Sequence, residues 1–378
     1  MTLAYGLVST YPPTPCGLAT FTTALAAGLL AAPGSLDECV VVRAVDIPGG
    51  SGIDVAAELV AGSPASRRHA AATLNDTDVV IVQHEYGIFG GRDGDEILDL
   101  IERLTVPVIV VLHTVPLDPT AHQRDVLESV VAAADAVITM THAARRRLAA
   151  GYVVDMGKVS VIPHGAHVTQ HLDGDGAPGI RPTILTWGLM GPGKGIEWGI
   201  EALALLGDLR PRPRYLIVGE THPKVRAARG EEYRRSLQAR ASRLGISADV
   251  EFDAAYLDVP SLQRIVRRST LVLLPYDSTD QITSGVLIDA VAAGKPVICT
   301  RFPHAIELLG GGVGLLVAHR DPGSIASALR RVLTDTALRG AMSTAAAGMA
   351  PGLAWAAVAD RYRLVATGLV EARAAAVA

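Results

Sequence analysis

The strongest constraint on the fold is an alternation along the whole chain of short runs rich in β-branched residues and longer stretches rich in Ala, Leu and Arg. Such an alternation predicts parallel sheets whose two faces are covered by helices. In the first half, strands are predicted at Ala4–Ser9, Cys39–Ala44, Val79–Gln83, Val106–Leu112, Ala136–Met140 and Val159–Ile162. In the second half, they are predicted at Thr183–Trp187, Tyr215–Val218, Val250–Phe252, Thr270–Pro275, Pro296–Thr300 and Val313–Val317.

The segment between the two halves, residues 164–182, is rich in Gly, Asp and His and has no apolar periodicity. It is therefore the predicted hinge between two domains. The length of 378 residues agrees with two domains, since a domain commonly has about 150 residues. In open α/β sheets ligands bind beyond the carboxyl ends of the strands, so the loops that follow strands are expected to carry the functional residues.

The charge balance excludes some classes of function. The chain has 34 Lys and Arg residues against 38 Asp and Glu residues, a net charge of −4, and 49% of its residues are hydrophobic. This composition argues against a disordered chain and against a nucleic-acid-binding protein. Partners must therefore be recognised by local groups rather than by bulk charge.

The hydropathy of the chain raises the question of a membrane-spanning segment. Mean hydropathy is +0.31, and no charged residue precedes Asp37. Prolines interrupt this segment, the apolar run Ala24–Ala32 is too short to span a bilayer, and no basic residues precede it. We therefore expect a cytoplasmic protein without a transmembrane segment or signal peptide; peripheral association with a membrane is left open. The cysteines suit neither a disulfide framework nor a zinc cluster and are expected to be buried thiols: Cys16, Cys39 and Cys299.

Two loops in the first half suit a phosphate or a sugar. A proline-rich loop leads to Gly17, where the free N–H groups of a beginning helix can bind an anion or a hydroxyl. An ordinary connection with Thr20 or Thr22 as the helix cap fits this loop equally well. His113 directly follows the fourth strand, where an imidazole can donate to a sugar hydroxyl or a phosphate oxygen. A structural histidine is the alternative.

The loop after the third strand, residues 83–91, brings polar groups, aromatic rings and glycines to the same edge of the sheet. A strand-end turn with Glu85 as a helix cap is the alternative interpretation. The residues that could meet a substrate there are His84, Glu85 and Tyr86.

In the second half, residues 187–195 follow a strand and lead into a helix. Their glycines allow the backbone to approach a phosphate, and Lys194 supplies a charge at the entrance of the helix. Because Gly195 follows the lysine, the spacing is not that of a P-loop NTPase.

The most informative stretch is residues 275–298, which combines a strand end, a polar loop, a short apolar helix and a Gly-Lys-Pro stop. Thr283 or Ser284 is the predicted cap of the helix. The N–H groups around 284–286 could receive a diphosphate, and Asp289 could accept hydrogen bonds from ribose hydroxyls.

With these stretches in order, the sequence resembles the retaining glycosyltransferases of family 4, which have the GT-B fold. The resemblance covers nearly the whole chain and rests on the Gly17 loop, His113, residues 162–165, residues 193–195 and residues 281–296. It implies an α/β protein with two facing Rossmann-like domains and an active site in the cleft between them. The expected domains are residues 1–168, on the acceptor side, and 169–354, which bind the nucleotide-sugar. Residues 355–378 resemble the helix that returns to the first domain in such enzymes.

The motif of this family is Glu, seven residues and Glu, leading into a Gly-x-Pro-Val stop. When residues 292–297 are aligned with that stop, the second Glu falls on Asp289 and the first on Gln281. Gln281 is uncharged but can still donate to and accept from sugar hydroxyls. The Arg that usually precedes the phosphate-binding Lys appears here as Gly188, so Lys194 would hold the diphosphate alone or with a basic residue that the sequence does not identify.

The resemblance implies transfer of a hexose from a nucleotide-diphosphate sugar, of the GDP-mannose or UDP-glucose type, to a carbohydrate or other hydroxyl acceptor. Transfer would retain the anomeric configuration and require neither metal nor other cofactor. The expected catalytic residues are His113, Lys194 and Gln281; those binding the nucleotide-sugar are Gly17, Gly193, Thr283, Ser284, Gly285, Val286 and Asp289; those on the acceptor side are His84, Glu85 and Tyr86. The alternatives are a catalytically weak nucleotide-sugar-binding protein, suggested by Gln281 and Gly188, and a sugar phosphorylase or epimerase of the same fold.

Overall fold

The computed structural model describes residues 1–31, 34, 36–49, 54–168 and 181–377, so most of the predicted hinge lies outside the described residues. The chain divides into two compact units. The first contains Met1–Gly165 and Ala354–Ala378, and the second contains Ala166–Leu353. Each unit is built on one parallel sheet with helices against it.

The first unit has a seven-stranded parallel sheet in the order β3-β2-β1-β4-β5-β6-β7. Its strands are β1 (Ala4–Ser9), β2 (Glu38–Val45), β3 (Ala57–Val60), β4 (Val79–His84), β5 (Val108–Leu112), β6 (Ala136–Thr139) and β7 (Val159–Val161). Its helices are α1 (Gly17–Leu30), α2 (Pro64–Asn75), α3 (Glu96–Ile101), α4 (Ala121–Ala133), α5 (His142–Gly151) and, from the end of the chain, α14 (Trp355–Val377).

The second unit has a six-stranded parallel sheet in the order β10-β9-β8-β11-β12-β13. Its strands are β8 (Thr183–Trp187), β9 (Arg214–Val218), β10 (Val250–Asp253), β11 (Leu271–Leu274), β12 (Val297–Thr300) and β13 (Gly314–Val317). Its helices are α6 (Ile196–Ala204), α7 (Pro223–Arg229), α8 (Glu232–Arg243), α9 (Val259–Arg268), α10 (Gly285–Ala292), α11 (Pro303–Leu309), α12 (Pro322–Thr334) and α13 (Thr336–Leu353). In both sheets the order reverses beside the first strand, as in Rossmann folds, where the reversal marks the ligand-binding edge.

The prediction of two α/β units with parallel sheets is confirmed, and each of the predicted strands overlaps an observed one. Strand β3, which pairs with β2 at the edge of the first sheet, was not predicted. This strand has only four residues, and Glu58 within it forms a partly buried ion pair with Arg43 of β2. A short strand with a charged residue carries little periodicity, which explains the omission.

The first part of the chain forms a buried strand and a core helix. Tyr5 of β1 and Phe21 of α1 are fully buried against Tyr362 of α14 and its neighbours. Apolar residues from the beginning and the end of the chain therefore share one core. In the described part of the chain, no helix is long and apolar enough to cross a membrane.

The expectation of buried thiols is correct only for Cys299. Cys39 and Cys16 are partly exposed. Cys16 lies directly before α1, where its Sγ accepts a hydrogen bond from Ala19 N at 3.4 Å and lies 3.0 Å from Thr10 Oγ1. This thiol therefore caps a helix.

Candidate active site

The N-terminus of α1 lies beyond the carboxyl end of β1, as the sequence predicted. Gly17 is its first residue, and Cys16 is the cap instead of Thr20 or Thr22. The Oγ1 atoms of these two threonines bond to the carbonyl oxygens of Cys16 and Leu18. Within the described residues, the N–H groups of Gly17 and Leu18 have no hydrogen-bond acceptor, so this helix end can still bind one.

His113 lies directly after β5, and its ring is fixed from two sides. Its Nε2 is 2.7 Å from Oε1 of Gln83, the penultimate residue of β4. The ring of Phe21 packs edge-on against it, with centroids 4.9 Å apart. Burial, followed by the charges of His164 and His84, lowers the pKa of His113 to about 3. The imidazole is therefore neutral at physiological pH.

The residues predicted for the acceptor side differ in how accessible they are. His84 is fully buried, and both its ring nitrogens lack a hydrogen-bond partner among the described residues. Burial lowers its pKa to about 4. Glu85 accepts a hydrogen bond from Thr114 Oγ1, and the Tyr86 hydroxyl donates to the Gln123 carbonyl oxygen at 3.0 Å. Of the three, Glu85 and Tyr86 are the ones that a substrate could reach without rearrangement of the strand end.

Three aromatic side chains pack together beside His113: Phe21, His164 and Trp355. Phe21 lies 5.0 Å from the rings of both His164 and Trp355, measured between ring centroids. A side chain at Gly165 would collide with the Trp355 ring, since an added Cβ would come within 2.3 Å of it. Gly165 therefore has to be glycine for Trp355, the first residue of α14, to pack there.

In the second unit, Lys194 lies in the loop between β8 and α6. Its Nζ is 4.5 Å from the centre of the Tyr276 ring, a cation–π distance. Burial lowers its pKa. Among the described residues no carboxylate pairs with Lys194. This leaves a partly buried cation whose charge an anionic ligand could neutralise.

Glycines in the Lys194 loop permit close backbone contacts. Gly195 has φ +62, and an added Cβ there would lie 1.8 Å from the Pro275 carbonyl oxygen. Gly188 has φ +118, in the region that L-residues rarely adopt. An arginine at position 188 would therefore be strained in this conformation. A Cβ at Gly188 would lie 3.8 Å from Val286, so this loop and the start of α10 are neighbours.

The N-terminus of α10 offers fewer free N–H groups than the sequence suggested. Ser284 caps the helix through Oγ, which accepts from Leu287 N at 3.3 Å. The Ser284 N–H donates to His304 Nδ1 at 2.8 Å, so it is not available to a ligand. Gly285 and Val286 keep N–H groups without an acceptor among the described residues. The contact with His304 could not be predicted from the sequence, because His304 lies twenty residues further along the chain.

Gln281 and Thr283 belong to the loop that leads into α10. The Gln281 Nε2 donates to the Thr283 carbonyl oxygen at 2.9 Å, which leaves its Oε1 as an acceptor for a ligand. The Thr283 hydroxyl is buried and has no partner among the described residues. Gly193, with φ +90, has open space where a Cβ would lie.

Asp289 lies one turn inside α10. Its carboxyl has no hydrogen-bond or ion-pair partner among the described residues, and burial raises its pKa to about 7. An acceptor of this kind gains a partner when a hydroxyl group of a ligand reaches it.

The raised pKa of Asp289 predicts that the free energy of unfolding falls as pH rises from about 4 to about 7. Over that range the unfolded chain loses the Asp289 proton while the folded chain keeps it, at a cost of up to about 1.4 kcal/mol per pH unit. Urea titrations of Asp289→Asn should show a flatter pH dependence and, at pH 8, a gain on the order of 1–3 kcal/mol. The exposed Asp118 supplies the control Asp118→Asn; equal slopes in both variants and the parent would contradict the assignment.

No group of three or more His, Cys, Asp or Glu side chains in the described ranges is arranged to hold a metal ion. The polar groups at the two sheet edges are instead helix N-termini, neutral imidazoles, a lysine and a partly buried carboxyl. These groups suit hydrogen bonding to phosphate oxygens and sugar hydroxyls.

Known proteins that are similar to this chain agree with a site for phosphate and sugar groups. Residues 181–335 match the family model described as Glycosyl transferases group 1, and residues 23–170 match the one described as Glycosyltransferase Family 4. Solved structures of similar fold include Anabaena HepE in complex with UDP (TM-score 0.73, 17% identity, covering 98% of this chain and 100% of that one) and a glycosyltransferase from Rickettsia africae (TM-score 0.73, 14% identity, covering 97% and 98%). At 14–17% sequence identity, the similarity to these structures shows only the fold, which is GT-B.

Similar curated proteins include two named D-inositol 3-phosphate glycosyltransferase. The one from Streptomyces avermitilis is 30% identical over 249 residues, 62% of this chain and 52% of that protein; the one from Corynebacterium jeikeium is 31% identical over 250 residues, 62% and 57%. The match thus spans little more than half the length of these relatives. With both halves matched by its family models, the chain belongs to the group 1 glycosyltransferases of family 4.

Proposed function

We propose that the protein transfers a hexose from a nucleotide-diphosphate sugar to a hydroxyl acceptor, with retention of configuration and without a metal ion. The observation that carries this proposal is Lys194, a partly buried cation with no carboxylate partner in the described residues. Its loop adjoins the start of α10, where the N–H groups of Gly285 and Val286 have no acceptor in the ranges that the structure describes. A cation and a helix N-terminus together suit a diphosphate.

The other residues have roles that follow from their chemistry. Asp289, on the same helix as the free N–H groups, accepts hydrogen bonds from ribose hydroxyls, and Gln281 Oε1 accepts one from the sugar. In the first unit, neutral His113 binds a hydroxyl of the transferred sugar. Glu85 and Tyr86 contribute to acceptor binding, as does the N-terminus of α1 at Gly17.

The reaction needs no protein base in this scheme. The bond between the anomeric carbon and the diphosphate oxygen breaks, and the acceptor oxygen bonds to that carbon from the same face. The departing phosphate oxygen takes the proton of the acceptor hydroxyl. The protein lowers the barrier by stabilising the charge that grows on the diphosphate, the task of Lys194 and the helix N-terminus.

A nucleotide screen tests the proposal. UDP, GDP and ADP are compared by thermal shift, and we expect one of them, at 100 times its Kd, to stabilise the protein by about 2.7 kcal/mol. The matching glucose or mannose donor is then incubated with inositol phosphate, the acceptor suggested by the names of the relatives, in the presence of EDTA. Retained anomeric configuration in the product, read by NMR, is the expected result.

Two outcomes would contradict the proposal. If no nucleoside diphosphate shifts the transition, the site assigned to Lys194 and α10 is wrong. If a nucleotide-sugar binds but is neither transferred nor hydrolysed, the protein is a binding protein of the same fold, in line with the uncharged Gln281 at the position of the first Glu of the family motif.

A further inference from the structure

The contact between Gln83 and His113 determines which nitrogen of the imidazole carries the proton. Oε1 of Gln83 lies 2.7 Å from Nε2 of His113. An amide oxygen only accepts hydrogen bonds, so with the amide in this orientation Nε2 is the protonated nitrogen. In a neutral imidazole Nδ1 is then an acceptor without a proton.

Gln83 is well placed to impose this state because it cannot move freely. It is fully buried, and its backbone is part of β4, where it is registered opposite Val111 of β5. One residue further, the His113 N–H donates to the His84 carbonyl oxygen at 3.0 Å. Phe21 closes another side of the imidazole. Strand pairing and packing therefore hold both partners of the hydrogen bond in register.

We propose that Gln83 is a positioning residue, which fixes His113 in the Nε2–H form so that Nδ1 accepts a hydrogen bond from a hydroxyl of the transferred sugar. This inference rests on the proposed function. It reverses the direction of the hydrogen bond expected from the sequence, where the imidazole was the donor. The sugar hydroxyl must itself donate, so replacing that hydroxyl with fluorine, which cannot donate, removes the interaction.

The opposite orientation of the Gln83 amide makes the opposite prediction. Its Nε2 would then donate to the His113 ring, Oε1 would be buried, and the imidazole would carry its proton on Nδ1. Burial and the nearby His164 and His84 keep His113 neutral in either case, since they lower its pKa to about 3. The two tautomers can therefore be compared at neutral pH without interference from the charged form.

The tautomer is read directly from the full-length protein labelled with ¹⁵N in histidine. A two-bond ¹H–¹⁵N correlation distinguishes a protonated ring nitrogen from a bare one, and the His113 signals are assigned by their loss in His113→Asn. We expect a bare Nδ1 and a protonated Nε2. In Gln83→Met the signals should move towards a mixture of tautomers, whereas Gln238→Met, at an exposed glutamine of α8, should change nothing.

Kinetics of the same variants supply the second measurement. We expect Gln83→Met to lower kcat/KM for the sugar donor about 10-fold, the equivalent of one hydrogen bond, with the Kd for the free nucleoside diphosphate unchanged. A protonated Nδ1 in the parent protein, or a tautomer that is the same in Gln83→Met, would overturn the inference. If the tautomer behaves as expected while no sugar is transferred, it is the proposed function that fails, and the assignment of Gln83 stands.

Discussion

Replacing Lys194 with alanine is expected to lower kcat/KM for sugar transfer by about 100- to 1000-fold, the usual cost of removing a preorganised group that stabilises developing charge. The ammonium is partly buried and lies 4.5 Å from the centre of the Tyr276 ring. In a site of low dielectric constant its attraction to a diphosphate is stronger than in water. Because charge on the diphosphate grows as the sugar leaves, most of the loss should appear in kcat.

The stability of the same variant separates catalysis from folding. A partly buried cation that has no carboxylate partner in the described part of the chain costs free energy in the unliganded protein, so Lys194→Ala should leave Tm unchanged or raise it. The matched control is Lys224→Ala, which removes an exposed lysine of the same unit. A kcat/KM for Lys194→Ala within threefold of that control would show that Lys194 does not act on the diphosphate.

The sheets of both units could be predicted from sequence because their central strands are buried on both faces. Such strands appear as continuous apolar runs, which can be recognised without knowledge of the partner strand. The edge strand β3 lacks this property: one of its residues is Glu58, whose partner Arg43 lies fifteen residues earlier. The position of β3 depends on that tertiary contact, which the sequence alone does not show.

Several features of the candidate site depend only on residues that are close in sequence, and they could therefore be predicted. The glycines of residues 187–195 predicted a loop with close approaches of the backbone, there to a phosphate; the close approach that the structure shows is that of Gly195 to the Pro275 carbonyl oxygen. Ser284 was one of two predicted caps of α10 and is the one observed. In both cases the local backbone conformation requires the residue type that the sequence has.

The contacts that set the chemistry of the site join residues distant in sequence, which is why they were missed. His304 removes the Ser284 N–H from the groups available to a ligand. Gln83, thirty residues before His113, determines which imidazole nitrogen is protonated. Burial changes the pKa of Asp289, which the sequence represents only as a carboxylate on a helix. Composition and spacing contain no information about such pairings.

Replacing His113 with alanine is expected to lower kcat/KM for the sugar donor by about 10- to 100-fold, the equivalent of about 1.4–2.7 kcal/mol. The affinity for the free nucleoside diphosphate should be unchanged, because that molecule lacks the sugar whose hydroxyl His113 binds. The Kd from calorimetry and the kinetic constants of one preparation test both statements.

The structural cost of the same substitution is smaller. Without His113, Oε1 of buried Gln83 loses its partner and Phe21 loses an edge contact, at a cost of about 1–3 kcal/mol. Each kcal/mol lowers Tm by about 2–4 °C in a unit of this size, so the variant stays folded at 25 °C. His69→Ala, at an exposed histidine of α2, is the control for both activity and stability. A folded His113→Ala with the kcat/KM of that control would remove His113 from the site, and with it the functional consequence of the Gln83 contact.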